Sequence, residues 1–281
     1  MRDSLRALLL PALLLFGIAA PAGATTIAYW NFAEGTPGAI ASGTNAVIDL
    51  SGNGHHGTPF GGPVYVATAN DVGLAFDGVN DRVFVADSDD FRVRSITVEA
   101  TLSLAALSLG QFTLDQIVFR GDNRAGLDPF YLGIRDGYLR FLVDSLGAGA
   151  VAIESPDRLA VGETLHVAGT LDDPTGAMRL YINGNEVAST TTALRPDGAL
   201  LPGRNPGLGI GNLQDNGNQY LRGVIDDARI SDVVLTPDQF LGASAGAVPE
   251  PASLALTLLA LGGVARRRRA RPSSRRVAAR N

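Results

Sequence analysis

"SITVEATLSL", Ser95 to Leu104, decides how the middle of this chain is read. Ile96, Val98, Ala100, Leu102 and Leu104 fall on one side of an extended strand. Thr97, Glu99, Thr101 and Ser103 fall on the other. A helix would scatter the same apolar residues around its circumference. The alternation therefore predicts a β-strand with one face in a core. The same pattern continues outward. "QIVFRGD", "FYLGIRDGYLRFLVDS", "ETLHVAGTLDD", "AMRLYINGNEVAST" and "LRGVIDDARIS" are short β-rich runs punctuated by Gly, Asn and Asp. Asp136-Gly137 and Asn183-Gly184 each divide two such runs and predict hairpin turns. Only "TPDQF", from Thr236, reads as a helical turn, with Pro237 at its first position. Many short strands at this spacing predict a sandwich or barrel.

The two ends follow a different logic. Arg2 and Arg6 form a positive n-region, Ala7 to Ala20 an apolar stretch, and Ala22-Gly23-Ala24 a small-residue cleavage site, which predicts a secretory signal over 1–24. Near the other end, Ala252 to Ala265 is uncharged and rich in Leu and Ala. As a helix it would be about 21 Å long, or roughly 27 Å counted from Val248, just enough to span a bilayer core of about 30 Å. Arg266 to Arg269 then hold its far end on the cytoplasmic side. Pro249-Glu250-Pro251, an apolar helix and an arginine run, in that order, resemble the PEP-CTERM sorting signal. The resemblance implies export through the inner membrane of a Gram-negative, polysaccharide-producing bacterium. It also implies processing by a sorting transpeptidase (an exosortase) that delivers the protein to the cell surface or beyond. Ala270 to Asn281 make a longer tail than that family carries. The chain thus divides into a signal peptide at 1–24, a β-sandwich domain at 25–246 and a sorting signal with a transmembrane helix at 247–281.

Splitting the chain this way changes its charge. Of 23 basic residues, all arginine, two lie in the signal and eight in the tail, leaving 13 in the domain. Of 28 acidic residues only Asp3 and Glu250 lie outside it, leaving 26. The domain is therefore near −13, although the whole chain carries −5. Such a field excludes nucleic acid as a partner and favours cations or neutral ligands. With no cysteine, the fold must rest on a large core rather than on disulfides.

"IAYWNFAEG", "VIDLSGNGHHGTP", "GLAFDGVNDRVFVAD", "SITVEATLSL", "LHVAGTLDDPTGAMRLYINGNEVAST" and "LRGVIDDARISDVVLTPDQF" occur in this order. That order resembles the laminin-G-like branch of the concanavalin A-like lectins and glucanases, from about Thr25 to Leu241. The resemblance implies an all-β jelly roll of two antiparallel sheets, one of them curved. It also implies a calcium ion joining the first acidic loop to the last strand, held by Glu34, Asp49, Asn53 and Asp226 or Asp227. The residues themselves support that chemistry, because "DLSGNG" concentrates Asp49, Ser51 and Asn53 on a glycine-rich loop suited to a hard cation. The competing reading is that Asp49 and Asn53 close Asx-turns.

Catalysis has less to stand on. Glucanases of this fold place alternating acids, Glu-x-Asp-x-Glu, on one strand, and none of Glu34, Glu99, Glu154, Glu163 or Glu186 begins such a pattern. His55 and His56 are adjacent and point apart, and His166 sits in an alternating strand, so no zinc or nucleophile constellation is legible. Trp30 and Phe32 are read as core. Tyr131, Tyr138, Tyr181 and Tyr220 are surface candidates for sugar stacking that the sequence does not rank. The expectation is a non-enzymatic binding or structural module associated with glycan or exopolysaccharide. The alternatives are a glycoside hydrolase of the same fold and a calcium-dependent protein–protein adhesion module.

Overall fold

The computed structural model describes residues 26–110, 113–124, 128–145 and 147–243. The signal peptide and sorting signal expected at 1–24 and 247–281 lie outside these residues. Among the described residues no helix is long and apolar enough to cross a membrane.

Strands are numbered β1 to β15 in chain order. Sheet A runs β13 (Asn185–Thr191), β12 (Ala177–Ile182), β11 (Thr164–Leu171), β6 (Ile96–Leu104), β15 (Arg222–Ser231), β4 (Asp71–Asp77), β3 (Val64–Thr68), with β1 (Thr26–Trp30) also on β15. Sheet B runs β10 (Gly149–Arg158), β9 (Tyr138–Ser145), β8 (Phe130–Arg135), β7 (Leu114–Gly121), β14 (Gly207–Ile210), β5 (Arg82–Ala86), β2 (Gly57–Phe60). All pairings are antiparallel. This is the two-sheet sandwich that the alternation predicts.

The strand that opened the reading lies near the middle of sheet A, between β11 and β15. Its apolar face enters the core, where Ile96, Val98, Ala100 and Leu102 are fully buried with Leu74, Phe130, Phe141 and Trp30. Burying each such large side chain stabilises the fold by about 1.5–3 kcal/mol. The sheets approach closely where Gly169 of β11 faces Phe141 of β9. A Cβ at Gly169 would lie 2.4 Å from that ring. Both turn signals hold: Asp136-Gly137 and Asn183-Gly184 have positive φ at each residue and join β8 to β9 and β12 to β13. "TPDQF" forms one 3-10 turn, Pro237–Gln239, closed by a capping box between Thr236 and Gln239.

On one edge, β15 pairs first with β4 and then with β1. The register against β6 slips between Ile225 and Asp227, so a bulge sits at the adjacent aspartates. Asp226 turns to Asn70, while the Asp227 carboxylate accepts from Thr101 N at 3.0 Å.

Candidate functional site

Sheet B turns its outer face, away from sheet A, to one apolar strip and two clefts. Phe84, Phe119, Tyr131 and Leu142 lie in one row across β5, β7, β8 and β9, because they occupy facing positions of the ladders. Loop 211–220 crosses this face. Gln116 N donates to Gln219 O and Gly211 N to Ile117 O, while Leu213 packs on Phe119, Tyr131 and Leu142. The loop sits so close that a Cβ at Gly209 would come within 2.2 Å of Asn212 O. Glycine at that strand position admits the loop.

The loop leaves a cleft on either side. One, of about 310 Å³, is lined by Phe60, Arg82, Phe84, Asn205, Gln214 and Asp215, with Asn216 at its wall. The other, of about 370 Å³, is lined by Ser108, Thr113, Leu114, Asp115, Asn218 and Gln219. Burial pushes the Asp115 carboxyl above its ordinary value, against two bonds from Ser108 that pull it down. Gln116 bridges to Gln219 through its amide at 2.7 Å, and its own Oε1 is buried without a partner. Farther along the same face, Arg140 Nε donates to Tyr131 Oη at 2.8 Å and pairs with Glu154. At the end of β9, Asp144 is buried with Oδ1 unpartnered. Asp128 beside it is pushed up to about 6, by burial first and then by the charges of Asp144 and Asp122. Phe119, Tyr131 and Leu142 are buried under the loop, so the apolar surface left beside the polar lining is Phe60 and Phe84 in the first cleft and Leu114 in the second, which suits a polar ligand with apolar faces.

The calcium set is distributed differently. The Asp49 carboxylate accepts four hydrogen bonds, from Tyr29 N, Ser51 N, Ser51 Oγ and His55 N, at 2.8–2.9 Å. Burial raises its pKa, but these bonds outweigh burial and hold it below the usual value. Asn53 turns its amide NH₂ toward β1, donating to Ile27 O and Thr26 O. Glu34 accepts from Tyr65 Oη, and Asp226 from Asn70. Among the described residues no three His, Cys, Asp or Glu side chains gather as a metal site. The two oxygens of Asp49 are thus taken up by four protein donors, and Glu34, Asp49 and Asp226 do not gather in one cluster. Residues 49–53 instead staple the free edge of β1, which would otherwise present unpaired backbone groups.

A family profile described as the concanavalin A-like lectin/glucanases superfamily matches residues 77–240, more than half of the chain. The chain belongs to the concanavalin A-like lectin/glucanases superfamily. No curated protein matches the sequence significantly. Among solved structures, this concanavalin A-like chain is similar to domain 4 of AbnA, a GH43 extracellular arabinanase from Geobacillus stearothermophilus, in complex with arabinotriose. Identity is 20%, with 77% of this chain and 96% of that one covered, at a TM-score of 0.55. The binding domain of Paraclostridial Mosquitocidal Protein 1 matches at 17% identity and TM-score 0.55, covering 72% of this chain and 50% of that one. The receptor-binding domain of botulinum neurotoxin D matches at 14% and 0.52, covering 76% and 50%. The chain thus spans about half the length of these toxin domains.

The remaining candidates of this concanavalin A-like domain take structural places. Trp30 is fully buried and donates to His55 O at 2.9 Å. His55 reaches Asp90, whereas His56 Nδ1 accepts from Asp49 N, so the two rings do diverge. His166 lies on the outer face of sheet A, stacked on Phe240 and 2.8 Å from Glu99. Of the tyrosines, Tyr131 lies in the sheet B strip and Tyr181 packs edge-on to Phe240. Sequence reasoning missed the two clefts. Arg82 and Asp115 sit at the ends of their strands, and nothing local signals that a loop about a hundred residues away closes over them. Glu99 was legible as the single acid on an apolar strand. It is fully buried, bonded to Arg229, His166 and Leu241 N.

Proposed function

We propose that this protein is a non-catalytic glycan-binding domain of the bacterial cell exterior, with its ligand on the outer face of sheet B. The observation that carries this reading is the pair of clefts flanking loop 211–220. Their lining of amides, hydroxyls and charges, beside the rings of Phe60 and Phe84 in one cleft and Leu114 in the other, matches the alternating polar and apolar surfaces of a sugar chain. The arabinotriose-bound domain and a botulinum neurotoxin DC binding domain in complex with SialylT share the fold and support the ligand class. The predicted signal peptide and PEP-CTERM segment support export and surface delivery by a sorting transpeptidase.

The non-catalytic part rests on where the glutamates go. Glu99, Glu154 and Glu186 are each engaged by arginine, and Glu34 by a tyrosine hydroxyl. A glycosidase sets a pair of Asp or Glu carboxyl groups about the scissile bond, and each cleft is lined by a single acid, Asp215 in the first and Asp115 in the second. A glycan array probed with the full-length chain tests the reading. Binding to one glycan class, lost in Gln219→Ala or Asn216→Ala and unaccompanied by release of reducing sugar, supports it. Turnover of a bound glycan, abolished by a single acid-to-amide change, makes the protein a hydrolase instead.

A further inference from the structure

The arginines of the folded region are nearly all neutralised in place. Of its 13 arginines, ten stand in ion pairs with Asp or Glu, while Arg82, Arg204 and Arg222 have none among the described residues. Arg204 and Arg222 are exposed, where water solvates the charge, but Arg82 is half-buried and lines the 310 Å³ cleft. Its guanidinium carbon lies over Phe60, 4.3 Å from the ring centroid, and Phe60 is itself 42% exposed. One Nη donates to Asn216 Oδ1, and Nε is buried with no acceptor. Asp215 lines the same cleft without reaching ion-pair distance, and its Oδ1 is taken by Gly217 N.

A cation held by a ring and an amide has lost part of its hydration without gaining a carboxylate in contact, Asp215 acting on it only from a distance. The planar fork of a guanidinium matches a carboxylate with two parallel bonds. The rest of the cleft, Asn205, Gln214, Asn216 and the second oxygen of Asp215, offers partners for hydroxyl groups. A ligand unit carrying both a carboxylate and hydroxyls satisfies the whole lining. We propose that this cleft is the subsite for a uronic-acid unit of the glycan and that Arg82 selects it. This rests on the glycan-binding reading above.

The domain's charge of about −13 sets how the selection works. Repulsion from distant carboxylates is screened beyond about 8–10 Å at physiological ionic strength, whereas a half-buried contact pair is screened much less. The cleft therefore recognises one carboxylate at one place and does not attract polyanions generally. Raising salt from low to physiological strength should strengthen binding of an acidic oligosaccharide, the reverse of ordinary polyanion binding.

The test is calorimetry on the full-length chain in mild detergent. The ligands are oligosaccharides of galacturonate, glucuronate, mannuronate and guluronate, each beside its carboxyl-reduced, neutral counterpart. At least one acidic member should bind about tenfold or more tightly than its neutral twin. Arg82→Gln should bring the two to equality, the readout being the ratio of acidic to neutral affinity in each protein. Arg82→Lys, which keeps the charge and loses the fork, should retain part of the preference. It serves as the readout if Arg82→Gln lowers the melting temperature markedly. Neutral members bound with no acidic preference overturn the Arg82 assignment and leave the glycan reading standing. A preference that survives Arg82→Gln also overturns it. Binding of neither series overturns the subsite, and an empty glycan array besides overturns the glycan reading with it.

Discussion

Glu99 and Arg229 stand directly opposite each other on β6 and β15, with Arg229 Nε 2.7 Å from Glu99 Oε1. The same carboxylate takes His166 and the backbone N–H of Leu241. The segment after β15 is thereby fastened across the outer face of sheet A, with Leu235 and Phe240 packed against Ala168 and Tyr181. Ala243, the last described residue, lies on that face beside His166 and Phe240, while both clefts open on the opposite sheet.

Removing the charge at Glu99 should be costly, because Arg229 and His166 lose a shared buried partner. Glu99→Gln should lower stability by about 3–5 kcal/mol in urea denaturation. In the Glu99→Gln background, Arg229→Gln should cost far less than it does alone. A loss below about 1 kcal/mol, or additive single changes, would show that the cluster is not a unit.

Asp49 should matter with or without calcium. Asp49→Ala removes four bonds from the β1 staple and should cost about 2–4 kcal/mol, taking about 1 kcal/mol for each typical bond. Melting curves in millimolar calcium and in chelator should show the same loss. Its depressed pKa means that this stability is present above the unfolded value of about 3.9 and is lost as pH falls through the lower folded value. A calcium-dependent rise in melting temperature that vanishes in Asp49→Ala would restore the ion to this loop.

Asp128 should give the opposite dependence. Its folded pKa of about 6 lies above the unfolded value of about 3.9, so the folded state holds the proton more tightly. That contribution is present below about pH 4 and is lost as pH rises through 6. Allowing for partial exposure, the expected size is roughly 1–2 kcal/mol. Asp128→Asn should match wild type near pH 4 and exceed it by that amount at pH 7.5. A stability difference that does not change with pH would contradict the assignment.

Arg266–Arg269→Ala tests the sorting signal. In a strain with the sorting machinery, the variant should accumulate unprocessed or in the wrong compartment if the apolar segment is a membrane span whose orientation the positive run sets. A mature product of unchanged mass and location would indicate a plain anchor.

By itself, the sequence determined the sandwich. Alternation in "SITVEATLSL", the Asp136-Gly137 and Asn183-Gly184 turns and the Pro237 turn are local signals, each carried by a few neighbouring residues whose side-chain period or backbone φ is set by steric limits. It also determined that Trp30 is core and that His55 and His56 diverge. Tertiary structure alone decided what the charges do. Asp49 and Asn53 have the composition of a cation loop, yet the loop lies along the open edge of β1, and backbone N–H groups reached the carboxylate. Glu99 became a clamp because β15 and the segment after it brought Arg229 and Leu241 N to it, from about 130 and 142 residues away. Arg82 became a cleft residue because loop 211–220 folded down over Gly209. Local rules fix which way a side chain points, but the partners it meets come from strands and loops distant in the chain. Whether a buried charge is neutralised or left waiting for a ligand depends on those partners.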